Sequence, residues 1–313
     1  MTLIVRDFRA ADAEAVAETR RSAFPYLVTT PETVAWEVAS APPERQYRLL
    51  VAEADGRVVG SCETGVFHDS SEPGQAFANP TVRADARGAG AGSALVSAAE
   101  ERLAGLGAVK VFAWTPDEPH SVTFAERRGY RRGRSSRVQR LDLAGAALPP
   151  LDLQALSHSG RGVVELRTAA DFADDPRPLY EADVECLEDE PGDVEFVGPP
   201  YAEWLALTWE HPALDRELTS VAVVDGAVAA FSVAHTDRGG RYWSGMTGTL
   251  RAFRGRGLAK LAKNDSLHRA RAAGCVEAFT GNDGGNEPML AINEWFGYEP
   301  ASMEWRYIRE LGA

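Results

Sequence analysis

Two rhythms of apolar and polar residues alternate along this chain of 313 residues, and their order occurs twice. Short stretches of period-two or continuous apolar character predict strands over 3–8, 47–54, 57–67, 109–114 and 136–143, with a further strand ending at Val82. Helix-compatible stretches fill 11–23, 31–40 and 92–103 between them. The second half repeats the order, with strands over 163–167, 218–224, 227–234, 276–280 and 302–309, another ending at Thr249, and a helix over 258–272. Gly105, Gly107 and Gly274 mark helix ends. The longest apolar stretch, 221–234, is broken by Asp225-Gly226 and predicts a hairpin rather than a membrane span.

The punctuation residues expose a duplication. Asp55-Gly56 and Asp225-Gly226 suit the positive φ angles of tight hairpin turns and lie 170 residues apart. Arg87-Gly88-Ala89-Gly90-Ala91-Gly92 and Arg254-Gly255-Arg256-Gly257-Leu258-Ala259 share the pattern Arg-x-x-Gly-x-Gly/Ala at an offset of 167. Gly129-Tyr130 and Gly297-Tyr298 follow at an offset of 168, and the openings 8–12 and 166–171 also correspond. Landmarks in one order at near-constant spacing predict two copies of one fold. The expected domains are 1–145 and 163–313, joined by a linker over 146–162 that contains Pro149-Pro150.

Composition narrows the partners. An apolar content of 44% with 25% charged residues is that of a globular protein with a buried core. The net charge of −13 weighs against nucleic acid and suits a small cationic molecule. Cys62, Cys186 and Cys275 are isolated, show no metal-ligand spacing and cannot all pair, so no metal and a reducing, cytoplasmic location are expected. Residues 1–7 lack the basic and apolar regions of a secretory signal, and no membrane partner is expected. Monomer and homodimer are both open. Between Glu181 and Glu195 lie eight acidic residues and no Lys or Arg. They read either as an attractor for a cationic amine or as a solvated helix face with Val184 and Leu187 turned inward. Tyr201, Trp204 and Trp209 follow at helix-like spacing and read mostly as core.

Backbone amides of the glycine turns point at a helix start, where the helix dipole favours an anion, an arrangement that binds pyrophosphate. The element order with these two loops resembles the GNAT superfamily of N-acetyltransferases, in tandem over nearly the whole chain. The resemblance implies an α/β (α+β) fold of two GNAT-like domains, each a mixed central sheet flanked by helices. It implies acetyl-CoA in a wedge between two splayed parallel strands, with the pantetheine arm along the strand ending at Val82 or Thr249. The pyrophosphate would rest on amides of Arg87, Gly88, Ala89, Gly90, Ala91 and Gly92. In the second copy the same role falls to Arg254, Gly255, Arg256, Gly257, Leu258 and Ala259. Arg254, Arg256 and Lys260 add positive charge there, as Arg87 does in the first copy. An amide within Thr249, Leu250 and Arg251 would polarise the acetyl carbonyl.

The copies depart from the family pattern unequally. An Asn ahead of the last helix and a Tyr seven residues on fall at Asn286 and Asn293 in the second copy, and at Glu118 and Ala125 in the first. The usual strand Glu falls at Ala76 and Trp243, neither of which accepts a proton, and Pro80 removes an amide from the first copy's strand. The second domain is therefore the expected catalytic one, acetylating a small cationic amine by direct attack within a ternary complex. Asn293 is its candidate hydrogen-bond donor and His235 its candidate proton acceptor. The alternative is a non-catalytic, regulatory acyl-CoA-binding protein; aminoacyl transfer from tRNA is opposed by the acidic balance.

Overall fold

The computed structural model describes residues 2–151, 162–190, 194 and 198–312. The centre of the expected linker, with Asp193 and Glu195 of the acidic stretch, lies outside the described residues.

The first repeat runs β1 (Leu3–Asp7), α1 (Ala13–Ala23), α2 (Pro31–Ser40), β2 (Arg48–Ala54), β3 (Arg57–Val66), β4 (Gln75–Val82), α3 (Ala91–Gly105), β5 (Lys110–Pro116), α4 (Pro119–Arg127) and β6 (Arg131–Asp142). The second runs β7 (Val164–Thr168), α5 (Arg177–Leu187), α6 (Tyr201–Trp204), β8 (Ser220–Val224), β9 (Ala227–Thr236), β10 (Arg241–Thr249), α7 (Leu258–Ala272), β11 (Glu277–Asp283), α8 (Glu287–Trp295) and β12 (Glu299–Glu310). Each Asp-Gly pair turns a hairpin as expected: Asp55 and Asp225 both sit at φ +49°, and each following glycine is also at positive φ. Helix α2 begins where Thr30 accepts the Thr33 amide at 3.1 Å and Pro31 occupies the first turn.

The chain forms two compact units whose limits differ from the repeats. The first runs through Ser136 and takes in Val194 and the residues from Ser302 onward; the second holds the other described residues from Arg137 to Ala301. Strand order is β1-β2-β3-β4-β5-β12 in the first and β7-β8-β9-β10-β11-β6 in the second, so each sheet is completed by a strand of the other repeat. β6 and β12, at 12 residues each, are the strands that cross the unit limits. The start of the expected linker is docked in the second unit: the Pro149 carbonyl accepts from Asn264 and His268, and the Ala146 carbonyl from Arg271.

In the first unit α3 turns Leu95, Val96, Ala99 and Leu103 onto Leu50, Cys62, Ala76 and Val111 of the sheet. A fully buried Leu of this kind contributes about 1.5–3 kcal/mol. Helix α7 occupies the matching place in the second unit, but Lys263, Asn264, Asp265 and Ser266 are all buried there. Asp265 is bonded to Ser220 and Arg269, and Ser266 to Tyr242 and the Leu218 carbonyl. Among the described residues no helix is long and apolar enough to cross a membrane.

Candidate active site

In the first unit β4 and β5 are parallel neighbours only from Gln75 to Phe77 and from Lys110 to Phe112. Beyond this the strands splay, with the Asn79 carboxamide accepting the Trp114 amide at 3.0 Å across the opening. A cavity of about 370 Å³ fills the gap, within the range that holds a small-molecule ligand. One end of it is lined by Arg87, Gly88, Gly90 and Ala91. Gly88 and Gly90 have φ of +79° and +94°, which a side chain would strain, and Gly90 begins α3 without a side-chain cap. The first amides of α3 are thus left for an external anion. Arg87 bonds the Val82 carbonyl at 3.4 Å and no carboxylate among the described residues. Val96, Phe124 and Ala125 line the middle of the cavity, and Ala23, Phe24 and Trp114 line its far end. The cavity therefore passes through the sheet, from the α3 face to the α1 face.

The second unit has the same frame with a different filling. β10 and β11 pair from Arg241 to Ser244 and then separate, and a one-residue bulge falls between Ser244 and Thr247. Gly255 and Gly257 repeat the positive φ angles, and α7 also starts uncapped. The cavity here is about 200 Å³ and stops at Thr249, Lys260 and Ile292. At the place of Val96 stands Lys263, and at the place of Ala125 stands Asn293; the ammonium donates to the Asn293 oxygen at 2.6 Å. The Asn293 amide in turn donates to Gln139 and Asn282 at 2.9 and 2.7 Å. Burial without a carboxylate pushes Lys263 down to about 7. At the loop, the Arg251 amide donates to Glu185 at 2.6 Å, the Arg251 guanidinium pairs with Glu188 and Asp189, and Arg254 pairs with Asp189. Asp189 is held down at about 2 by these two guanidinium groups. Arg251 and Arg254 are thus already matched by carboxylates of the chain itself.

These contacts give the expected second-domain residues other tasks. Asn293, with no exposed surface, bonds Lys263 rather than facing the cleft. Burial, with the His211 ring 5.3 Å away, lowers His235 to about 4, too weak a base to take a proton from an ammonium. Asn286 caps α8, accepting the Met289 amide at 3.3 Å. The amide of Leu250 is bonded to Ala229, and that of Arg251 to Glu185, so neither is left for an acetyl carbonyl. Arg256 bonds the Ala252 carbonyl and stacks on Phe253, and Lys260 lies over the Trp295 ring at 4.6 Å. Thr249, Arg254, Gly255, Gly257, Leu258, Ala259 and Lys260 do gather around the smaller cavity, as Val82, Arg87, Gly88, Gly90, Ala91 and Gly92 do around the larger. Two acidic residues of the stretch, Glu188 and Asp189, hold arginine side chains, Glu185 accepts a backbone amide, and Asp183 accepts the Trp204 indole N–H at 2.8 Å. All three cysteines are buried and free. Sequence reasoning missed His120, which lines the larger cavity 3.1 Å from Glu118.

A duplicated α/β unit with an uncapped glycine turn facing a gap between splayed parallel strands is the frame of an acyl-coenzyme A transferase. The chain belongs to the acetyltransferase (GNAT) family, whose profile matches residues 13–130 and 177–298. It is an acyltransferase with acetyl-CoA as its acyl donor. Among solved structures it is similar to a tandem GNAT protein from the clavulanic acid biosynthesis pathway, at 19% identity and TM-score 0.73, covering 100% of this chain and 99% of that one. It is also similar to a GCN5-related N-acetyltransferase from Sphaerobacter thermophilus, at 20% identity and TM-score 0.70, covering 98% and 95%. These two likenesses concern the fold. No curated protein matches the sequence.

Proposed function

We propose that the protein acetylates a small, cationic amine within a ternary complex, and that the first unit is where it does so. The observation that carries this reading is the 370 Å³ cavity crossing the first sheet, with free helix-start amides at one end. The residues present fit coenzyme A: Arg87 and the amides from Gly88 to Gly92 suit the pyrophosphate, and the small side chains Val96 and Ala125 leave room for the pantetheine arm. Acetyl-CoA supplies an activated acyl group; the chain holds it against the amine, and juxtaposition lowers the barrier. In the second unit, Lys263 and Asn293 fill the corresponding middle of the cleft and Asp189 covers the loop arginines. This favours one acetyl-CoA per chain.

Titration calorimetry with acetyl-CoA tests the reading. Gly90→Glu and Gly257→Glu place an anion at each loop in turn, with similar backbone strain. Wild type is expected to bind one equivalent, Gly90→Glu none and Gly257→Glu one with unchanged affinity. Binding that is lost only in Gly257→Glu would transfer the activity to the second unit. A second reading, binding without turnover, draws on Ala125, which stands where the family pattern places the tyrosine that protonates the departing thiolate. It predicts the same heats with no thiol release against any amine.

A further inference from the structure

The acetyl-transfer reading leaves open what takes the proton from the amine, and the answer lies on a strand that the sequence assigns to the other repeat. Glu304 on β12 is opposite Pro116 of β5, and Pro116 lines the cavity. Side chains alternate along β12: Trp305 and Tyr307 turn into the core beneath α3, while Arg306 stacks on Phe112 and Trp114 of the opposite face. Glu304 shares that opposite face, where the cavity ends at Phe24 and Trp114. There it accepts the hydroxyl of Tyr26, whose ring sits edge-on to Phe24 at 5.9 Å between centroids. One side of the Glu304–Tyr26 pair is therefore the cavity-lining strand β5, and the other is a ring of the cavity wall.

The charges around this pair are committed elsewhere. Asp117 faces Arg132 at 3.8 Å, Glu118 faces His120 at 3.1 Å, and Arg306 lies over the Trp114 ring at 4.9 Å. The other carboxylates on this face, Glu37 and Glu63, share the buried guanidinium of Arg20 at 2.8 and 2.6 Å. Glu304 is paired with no Lys or Arg side chain among the described residues. Burial pushes its carboxyl up, and the Tyr26 hydrogen bond partly offsets that. A desolvated carboxylate beside aromatic rings is a complement for a primary ammonium group.

We propose that Glu304 binds the acceptor's ammonium group and takes its proton, with Tyr26 positioning the carboxylate. The proton passes from R–NH₃⁺ to the Glu304 oxygen, and the freed lone pair attacks the thioester carbon. The C–N bond forms, the C–S bond breaks with its electron pair staying on sulfur, and the second N–H proton goes to the thiolate. The amide and free thiol leave, and the Glu304 proton returns to solvent. The acceptor class is a primary alkylamine that enters as the ammonium ion, flanked by Phe24 and Trp114.

The test measures thiol release from acetyl-CoA with ethanolamine, putrescine, glucosamine and tyramine, and with water alone, from pH 5.5 to 9. In wild type, kcat/KM for the preferred amine is expected to rise on an acid limb as Glu304 ionises and then stay level, because the ammonium ion is the species used. Glu304→Gln is expected to lower kcat/KM by about 10²–10⁴-fold. It also removes the plateau, so that the remaining rate climbs about tenfold per pH unit with the free-amine fraction. Glu304→Asp keeps the plateau at reduced height, and Tyr26→Phe, lacking the hydroxyl that favours the carboxylate, moves the acid limb upward. Acetyl-CoA affinity by calorimetry stays unchanged in all three, which a merely structural role would not ensure. Near-wild-type rates and an unchanged profile in Glu304→Gln would overturn the assignment while leaving acetyl transfer standing. Absence of turnover in wild type, with every amine and with water, would remove the acetyl-transfer reading and this one with it.

Discussion

Replacing Lys263 by Met isolates the charge that occupies the middle of the second cleft. Lys263 is fully buried, donates to Asn293 and lies 5.0 Å from the Tyr298 ring centroid, with its amine lowered from 10.5 to about 7. Between these two values the unfolded chain binds a proton that the folded protein has released. Stability therefore rises with pH across that window and is flat below about 7, where both states are protonated. Each full pH unit inside the window contributes about 1.4 kcal/mol, so wild type gains about 2 kcal/mol between pH 7 and 9 from this group. Other groups titrate over the same range, but they do so equally in Lys263→Met. The Asn293 oxygen left without its donor is a cost to the variant that does not change with pH. Urea unfolding of both proteins at pH 6, 7, 8 and 9 should show the variant's relative stability falling by about 2 kcal/mol from pH 7 to 9. Parallel stabilities across that range would refute the account of Lys263 as a desolvated ammonium.

Two further outcomes follow from the packing. Placing the second unit's pair into the first, as Val96→Lys with Ala125→Asn, should lower acetyl-CoA affinity at least a hundredfold by calorimetry while the far-ultraviolet circular dichroism stays that of wild type. Arg20→Met leaves the carboxylates of Glu37 and Glu63 facing each other without their shared cation. This should cost about 3–5 kcal/mol in chemical unfolding.

The parts of this fold that could be read from the sequence are those specified by neighbours along the chain. The two Asp-Gly hairpins, the Pro31 helix start and the glycine loops each state their geometry within a few residues, and all lie where the residues predict them. The expected strand limits moved by only a few residues at most ends. The closing strands were misassigned because nothing within β6 or β12 says which sheet will accept it; that depends on pairing partners far away in sequence. Choosing the second half as catalytic rested on Asn286 and Asn293, two polar residues whose hydrogen bonds turn inward. The proposal of the first half draws on the repeat alignment instead, in which Val96 corresponds to Lys263 and Ala125 to Asn293. A lysine on the inner face of a helix fills the space that its small counterpart leaves, but only the partner atoms show that it is buried there rather than extended into solvent. Glu304 was unreadable for a related reason: its partner, Tyr26, precedes it by 278 residues.

The exchange of closing strands also dictates an order of assembly. During synthesis the first unit has β1 to β5 in hand long before Ser302–Glu310 emerges, and β5 meanwhile presents an unpaired edge. The portion translated earliest is thus the portion finished last. A gene cut between the repeats would yield two fragments that each carry the other's missing piece.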